Sequence, residues 1–144
     1  MSLLVAACGA TDGGAGPEHV VARSVETGTV VTTASGGRLS VTDAERLGPA
    51  GVHFHYVAAG VTACAPRSAA RTRVDPEVFG LETDDGRMVR GAPVAEPALR
   101  ADDVIAPGSC THGRVTFVIR DGQRPRSVVY LGASRIRWRL GPNA

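Results

Sequence analysis

The chain has 144 residues, a formal net charge of +2 and an apolar fraction of 43%. That length fits one domain with a hydrophobic core and is too short for two ordinary domains with linkers. The charge is far from the dense basic field that binds nucleic acid by neutralising phosphates, so we expect no nucleic-acid partner. The 18 Gly and 9 Pro residues favour a turn-rich β architecture over long helices.

An apolar run at the start of the chain ends in small residues immediately before Cys8. This run resembles the lipobox at which bacterial lipoproteins are cleaved and acylated, although it lacks the basic and longer apolar regions of a full signal. We interpret residues 1–8 as a truncated signal with lipidation at Cys8, and residues 9–27 as a flexible Gly-rich tether. The alternative is a chance cysteine at a terminus. The lipoprotein interpretation predicts an extracytoplasmic protein, anchored to the outer face of the cell membrane or secreted.

The remaining residues, 28–141, break into short β-like runs that are separated by turn residues and have no sustained helical period. The predicted strands are Thr29–Thr33, Arg38–Asp43, Val52–Ala63, Val78–Thr83, Arg87–Arg90, Arg114–Arg120, Ser127–Leu131 and Ser134–Leu140. This pattern predicts an all-β domain built as a two-sheet sandwich.

The late strands have the clearest alternation of apolar and polar residues. Val115, Phe117 and Ile119 share one face of their predicted strand, which we expect to face the core. In the last strand, Ile136 and Trp138 alternate with arginines, so we expect Trp138 to point inward.

Two turn sequences are predicted to close β-hairpins. These are Asp84-Asp85-Gly86 and Asp121-Gly122, because Asp and Gly tolerate positive φ. Residues 91–101 contain two prolines and are predicted to form a loop.

The polar side of the last predicted strand forms a basic stripe made of Arg135, Arg137 and Arg139. Such a stripe could bind anionic lipid head groups, wall polymers or an acidic partner. The alternative is a solvated strand face, on which arginine also protects an edge strand against aggregation.

Two histidines, His53 and His55, have the spacing that places both imidazoles on one side of a strand. They could supply two ligands to a metal ion, with His112 or His19 as a distant third. No Cys/His cluster of recognised spacing completes such a site, so we expect no cofactor.

An alternative for the same strand needs no ion. In that arrangement both imidazoles face solvent, and the neighbouring apolar residues Val52, Phe54 and Tyr56 pack inward. We favour this arrangement over the metal site.

The sequence contains no nucleophile elbow, Gly-rich phosphate loop or HExxH motif. Its paired carboxylates, Asp84-Asp85 and Asp102-Asp103, lie in turn-like contexts where Asp is expected to bond the backbone. We therefore predict a protein that is not an enzyme.

The other two cysteines, Cys64 and Cys110, lie close to the ends of predicted strands. A bond between them would close a loop of about 46 residues and stabilise the fold by about 4 kcal/mol in the chain-entropy treatment. The alternative is a pair of reduced, buried thiols, as expected of a cytosolic protein.

Several pieces of the second half of the chain resemble a known family. They are Val61–Cys64, Pro76–Leu81 leading to Asp84-Asp85-Gly86, Pro107–Phe117, and Pro125 with Val128 and Tyr130. In order and spacing these pieces resemble the immunoglobulin-like domains of unknown function found in actinobacterial lipoproteins, which are related to secreted mycobacterial antigens of that fold. The most specific piece has the pattern Pro-Gly-x-Cys-x-x-Gly-x-Val-x-Phe.

The resemblance implies an immunoglobulin-like two-sheet sandwich, export, and a disulfide between Cys64 and Cys110, and it implies no catalytic residues. Taken with the residue patterns, it predicts a non-enzymatic exported envelope lipoprotein that binds an envelope protein or wall component. The alternative function is a metal-handling lipoprotein that uses His53 and His55.

Overall fold

The computed structural model describes residues 23–68 and 71–144. Within these ranges the strands are β1 (Arg23–Glu26), β2 (Val31–Thr32), β3 (Arg38–Pro49), β4 (Phe54–Cys64), β5 (Thr72–Arg73), β6 (Phe79–Thr83), β7 (Met88–Arg90), β8 (Val104–Ile105), β9 (Cys110–Arg120), β10 (Pro125–Tyr130) and β11 (Ile136–Arg139). A turn of 3-10 helix, Pro76–Val78, precedes β6. Among the described residues, no helix is long and apolar enough to cross a membrane.

The strands form two main sheets. The five-stranded sheet has the order β1-β11-β10-β6-β7, and the four-stranded sheet has the order β2-β3-β4-β9. A two-stranded ribbon of β5 and β8 lies beside them. β1 runs parallel to β11, whereas the other paired strands are antiparallel. The predicted all-β, two-sheet architecture is confirmed.

The core lies between the two main sheets and contains side chains from both. Val115, Phe117 and Ile119 are buried on one face of β9, as the alternation predicted. Trp138 is 0% exposed, and its Nε1–H donates a hydrogen bond of 2.9 Å to the carbonyl oxygen of Thr29. The buried indole therefore has a partner for its polar group.

The first strand lies inside the segment that the sequence assigned to the tether. β1 pairs with β11, and Val25 packs against the core. Four residues with one apolar side chain are too few to show a period, so the pattern gave no signal there. The sandwich therefore includes Arg23–Glu26, which the sequence had assigned to the tether. Residues 1–22, which include Cys8 and His19, lie outside the described residues.

β3 is longer than predicted and continues from Asp43 to Pro49. Its pairing with β4 shifts register between Val41 and Ala44 and again between Arg46 and Pro49. Such irregularities interrupt the two-residue alternation, which is why the sequence pattern ended early.

The two predicted hairpin turns have different outcomes. Residues 84–87 join β6 to β7, and the Thr83 N–H donates to the Arg87 carbonyl oxygen at 2.9 Å, so this hairpin is confirmed. The hairpin at Asp121-Gly122 is wrong, because that turn carries the chain from the four-stranded to the five-stranded sheet. Gly122 adopts a φ of 90°, which explains the residue choice but does not determine the next strand's partner.

The predicted loop at residues 91–101 covers the outer edge of β9. Ala92 and Thr116 exchange two backbone hydrogen bonds of 2.8 and 2.9 Å, and the Leu99 N–H donates to the Arg114 carbonyl oxygen at 3.0 Å. Leu99 is fully buried in the core. The loop therefore protects an edge that would otherwise expose unpaired backbone groups.

Candidate functional site

The predicted disulfide between Cys64 and Cys110 is present. The two cysteines lie directly opposite each other on β4 and β9, at the end of the sandwich where β4 finishes and β9 begins. The bond therefore joins neighbouring strands of one sheet, whereas the disulfide of antibody domains connects the two sheets. We call this end of the molecule the disulfide end.

The predicted basic stripe lies on the outer face of the five-stranded sheet, and two of its three arginines have acidic partners. Arg137 Nε lies 3.0 Å from Glu82 Oε2, in an ion pair that is not aligned for a hydrogen bond. Arg139 Nη2 lies 2.5 Å from Glu26 Oε1. Arg135 has no ion-pair or hydrogen-bond partner among the described side chains. Most of the charge of the stripe is therefore balanced within the sheet.

The Arg137–Glu82 pair reaches across β10. Ser127 lies opposite Glu82, and Val129 lies opposite Arg137, so the long side chains cover these two smaller residues, which are buried on an outer face. A groove of about 590 Å³ runs beside the pair, and both signs of charge line it. Its charged side chains are Glu82, Asp84, Arg124, Arg126, Arg137 and Arg139.

The favoured arrangement at the start of β4 is wrong, because the faces are reversed. His55 is 4% exposed and points inward, and its Nδ1 lies 3.1 Å from Asp121 Oδ1. Phe54 and Val52 are instead 37% and 78% exposed. His53 has a φ of 66° and lies in the turn before β4, so the alternation starts one residue later than assumed. The carboxylate from the β9–β10 turn provides the buried imidazole with a hydrogen-bond partner.

The metal-ligand candidates His55 and His112 lie far apart, and His19 lies outside the described residues. His112 is on β9, where its Nδ1 lies 2.9 Å from Thr62 Oγ1. His55 is on β4, opposite Ile119 of β9. Seven residues of strand separate these positions, which is roughly 23 Å at the rise of a β-strand. Within residues 23–68 and 71–144, no group of three or more His, Cys, Asp or Glu residues could hold a metal ion.

The paired carboxylates at residues 84–85 bond to neighbouring turns. The Thr83 hydroxyl donates to Asp85 Oδ1 at 2.5 Å, and Gln123 Nε2 donates to Asp85 Oδ2 at 2.8 Å. These two bonds hold the pKa of Asp85 below its ordinary value. Asp84 accepts a hydrogen bond from the Arg124 backbone N–H at 3.0 Å. The two carboxylates therefore connect the β6–β7 hairpin to the β9–β10 turn.

A cleft of about 490 Å³ opens at the disulfide end, where strand ends of both sheets meet the ribbon of β5 and β8. We call it the disulfide-end cleft. Its volume lies within the range typical of small-molecule sites. The apolar side chains that line it are Leu39, Ala63, Pro66, Val74, Val78, Ala101, Ile105 and Tyr130.

Arginines without acidic partners lie at the mouth of this cleft. Arg38 and Arg73 are exposed residues of its lining, and Arg67 lines a pocket of about 250 Å³ that shares Arg38 with the cleft. No guanidinium of these three has an ion-pair or hydrogen-bond partner in the part of the chain that the structure describes. Asp75 is the acidic residue of the cleft lining, and its carboxylate accepts the Glu77 N–H at 2.8 Å. We call Arg38, Arg67 and Arg73 the arginine rim.

The sequence interpretation did not identify this site. Its one visible signal was the density of arginine after Cys64, with Arg67, Arg71 and Arg73 inside seven residues. The apolar lining comes from segments that are far apart in the chain, and β5 and β8 have only two residues each. Such short strands leave no period to recognise.

No protein-family model matches the chain, and no curated protein matches it by sequence. Among solved structures, it is similar to MPT63, a secreted protein from Mycobacterium tuberculosis, with a TM-score of 0.64 and 19% identity. That match covers 82% of this chain and 97% of MPT63. The yjhA protein from Bacillus subtilis matches with a TM-score of 0.55 and 14% identity, over 73% of this chain and 80% of yjhA.

A third similar structure is ycdA, a candidate lipoprotein from Bacillus subtilis, with a TM-score of 0.56 and 12% identity. The match covers 83% of this chain but only 40% of ycdA. Identities this low establish a common fold and nothing finer. The chain therefore has the immunoglobulin-like β-sandwich fold that the motif resemblance implied.

Proposed function

We propose that the protein is an exported, non-enzymatic binding module of the bacterial cell envelope. The observation that carries the proposal is the disulfide between Cys64 and Cys110. Disulfides persist in oxidising compartments outside the cytoplasm and are rare inside it. A small sandwich with this bond is therefore suited to the space beyond the cytoplasmic membrane.

In this proposal, Cys8 carries a diacylglycerol anchor, and the residues after it tether the sandwich to the outer face of the membrane. The support is the lipobox-like run before Cys8 and the Gly-rich segment after it. Two proteins of the same fold are described as a secreted protein and a candidate lipoprotein, which agrees with export.

The binding surface that we propose is the disulfide-end cleft with its arginine rim. Among the described residues its guanidiniums have no acidic partners, whereas Arg137 and Arg139 on the predicted stripe are paired with Glu82 and Glu26. Unpaired arginines are available to a ligand without first breaking an ion pair. The proposed partner of this cleft is a negatively charged envelope component. The basic stripe of Arg135, Arg137 and Arg139 is the second candidate surface, for a wall polymer or an envelope protein.

Location can be tested by fractionating the native host that expresses the full gene, in wild-type form and as Cys8→Ser. We expect the wild-type protein in the membrane fraction, where added protease digests it on intact spheroplasts, and the Cys8→Ser protein released or unprocessed. Thr11→Ser is the matched control in the same segment and should behave as wild type. Wild-type protein that stays in the cytosolic fraction, protected from protease, would refute the proposal.

A further inference from the structure

We propose that the disulfide-end cleft binds a single-chain anionic amphiphile, with the hydrocarbon chain in the cleft and the anionic head at the arginine rim. This inference rests on the proposed binding function and goes further by naming the class of ligand. Three properties of the cleft carry it: its apolar lining, its size and the charge at its mouth.

The lining is an extension of the hydrophobic core that opens to solvent. Leu39, Ala63 and Ile105 are buried core residues, while Val74 and Tyr130 are half-buried and pack against that core. Half-buried apolar side chains around a recess stay in contact with water until something apolar covers them. The lining therefore favours a hydrocarbon occupant.

The size of the cleft selects one short chain. A volume of about 490 Å³ corresponds to roughly 16 water molecules at about 30 Å³ each. Since a methylene group is close to water in size, the cleft suits a chain of about a dozen carbons and not a two-chain lipid. Tyr130 forms one wall and is supported from behind by Phe79, with the ring centroids 5.7 Å apart.

The charge at the mouth selects an anionic head. Three rim arginines, Arg38, Arg67 and Arg73, outnumber the one carboxylate of the cleft lining, Asp75. Guanidinium groups bind carboxylate and phosphate oxygens in pairs, which gives the head group an orientation as well as an attraction. Both a fatty acid and a chain with a phosphate head offer this chemistry.

The test is a titration of the uniformly ¹⁵N-labelled full chain with dodecanoate, dodecyl phosphate, dodecanol and acetate, with the two anionic amphiphiles kept below their micelle concentrations and dodecanol kept within its solubility. We expect saturable shifts of the Leu39, Thr72 and Ile105 amide signals with either anionic amphiphile. The tighter of the two identifies the head group as carboxylate or phosphate. Dodecanol should bind about tenfold more weakly, and acetate should cause no saturable shift.

Two substitutions test the contacts of the ligand's hydrocarbon chain and of its anionic head separately. Ala101→Phe places a ring at the exposed mouth of the cleft and should weaken dodecanoate binding by about tenfold or more. Ala133→Phe, at an exposed site outside the cleft lining, is its matched control and should not change binding. Arg73→Gln should weaken dodecanoate but not dodecanol, whereas Arg90→Gln on β7 should change neither.

The absence of a saturable shift with both anionic amphiphiles up to about 1 mM would overturn the inference. Binding that Ala101→Phe leaves unchanged would overturn it too, because the chain would then lie elsewhere. Equal affinity for dodecanol and dodecanoate would refute the anionic head. None of these results affects the location measured by fractionation, so failure here and failure of the proposed function remain distinguishable.

Discussion

Trp138 carries the largest of the fully buried side chains and packs between the two sheets. Trp138→Ala should lower the free energy of unfolding by about 3–5 kcal/mol, because it leaves a large cavity and an unpaired Thr29 carbonyl oxygen. Urea unfolding followed by circular dichroism measures this loss. Arg135→Ala, at an exposed site just before the same strand, should change stability by no more than about 0.5 kcal/mol. Losses of equal size would contradict the inward position of Trp138.

The Asp85 carboxylate should make the free energy of unfolding depend on pH. Its ordinary pKa of 3.8 is lowered in the folded state, first by the Thr83 hydroxyl and then by Gln123. The stabilisation is therefore fully present above pH 3.8 and is lost as the pH falls through the lowered folded-state value. We expect the urea midpoint of the wild type to fall more than that of Asp85→Asn between neutral pH and about pH 3. Parallel curves would show that the carboxylate does not stabilise the fold.

At the residue scale, burial could be predicted where the alternation of apolar and polar residues was unbroken. The prediction failed where one unusual backbone φ angle shifted that alternation. Trp138 follows a regular strand pattern, so its inward position could be predicted. His55 follows His53, whose positive φ reverses the expected faces, and it is buried because Asp121 approaches from another turn. Neither the angle nor the distant carboxylate is visible in the local pattern.

The loop at residues 91–101 depends on a glycine in β9. A Cβ atom at Gly113 would lie 2.4 Å from the Leu99 nitrogen and 2.6 Å from its Cα, so Gly113→Ala must displace the loop from the strand edge. We expect faster hydrogen exchange at the Leu99 amide and a loss of stability of about 1–3 kcal/mol. The matched control is Gly48→Ala in β3, because a Cβ there meets no atom within 4 Å. Unchanged exchange at Leu99 in Gly113→Ala would contradict this packing.

At the element scale, the number of alternating apolar side chains, more than strand length, determined what the sequence could predict. β9 and β11 carry several alternating residues each and were predicted with the correct inward face. β1, β5 and β8 contain two to four residues, and their pairing is determined by contacts with strands far along the chain. The Asp121-Gly122 turn could be predicted, but its strand partners could not, because turn chemistry does not choose a sheet.

At the scale of the whole molecule, the arrangement of charge differs from the pattern in the sequence. Arg137 and Arg139 look like a free basic stripe until the fold brings Glu82 and Glu26 beside them. Three arginines without an acidic partner among the described residues, Arg38, Arg67 and Arg73, lie instead at the disulfide end, beside an apolar cleft assembled from both sheets. Choosing the candidate binding residues therefore required knowing which distant strands lie side by side, and a single sequence does not show this.

The measurement that most directly tests export is the intact mass of the protein from its native host, taken after alkylation of free thiols, with and without prior reduction. We expect Cys64 and Cys110 to take up alkylating reagent only after reduction, and Cys8 to carry the mass of a diacylglycerol. If all three thiols are alkylated without reduction and no lipid mass is present, the protein is not exported, and the proposed envelope function is wrong.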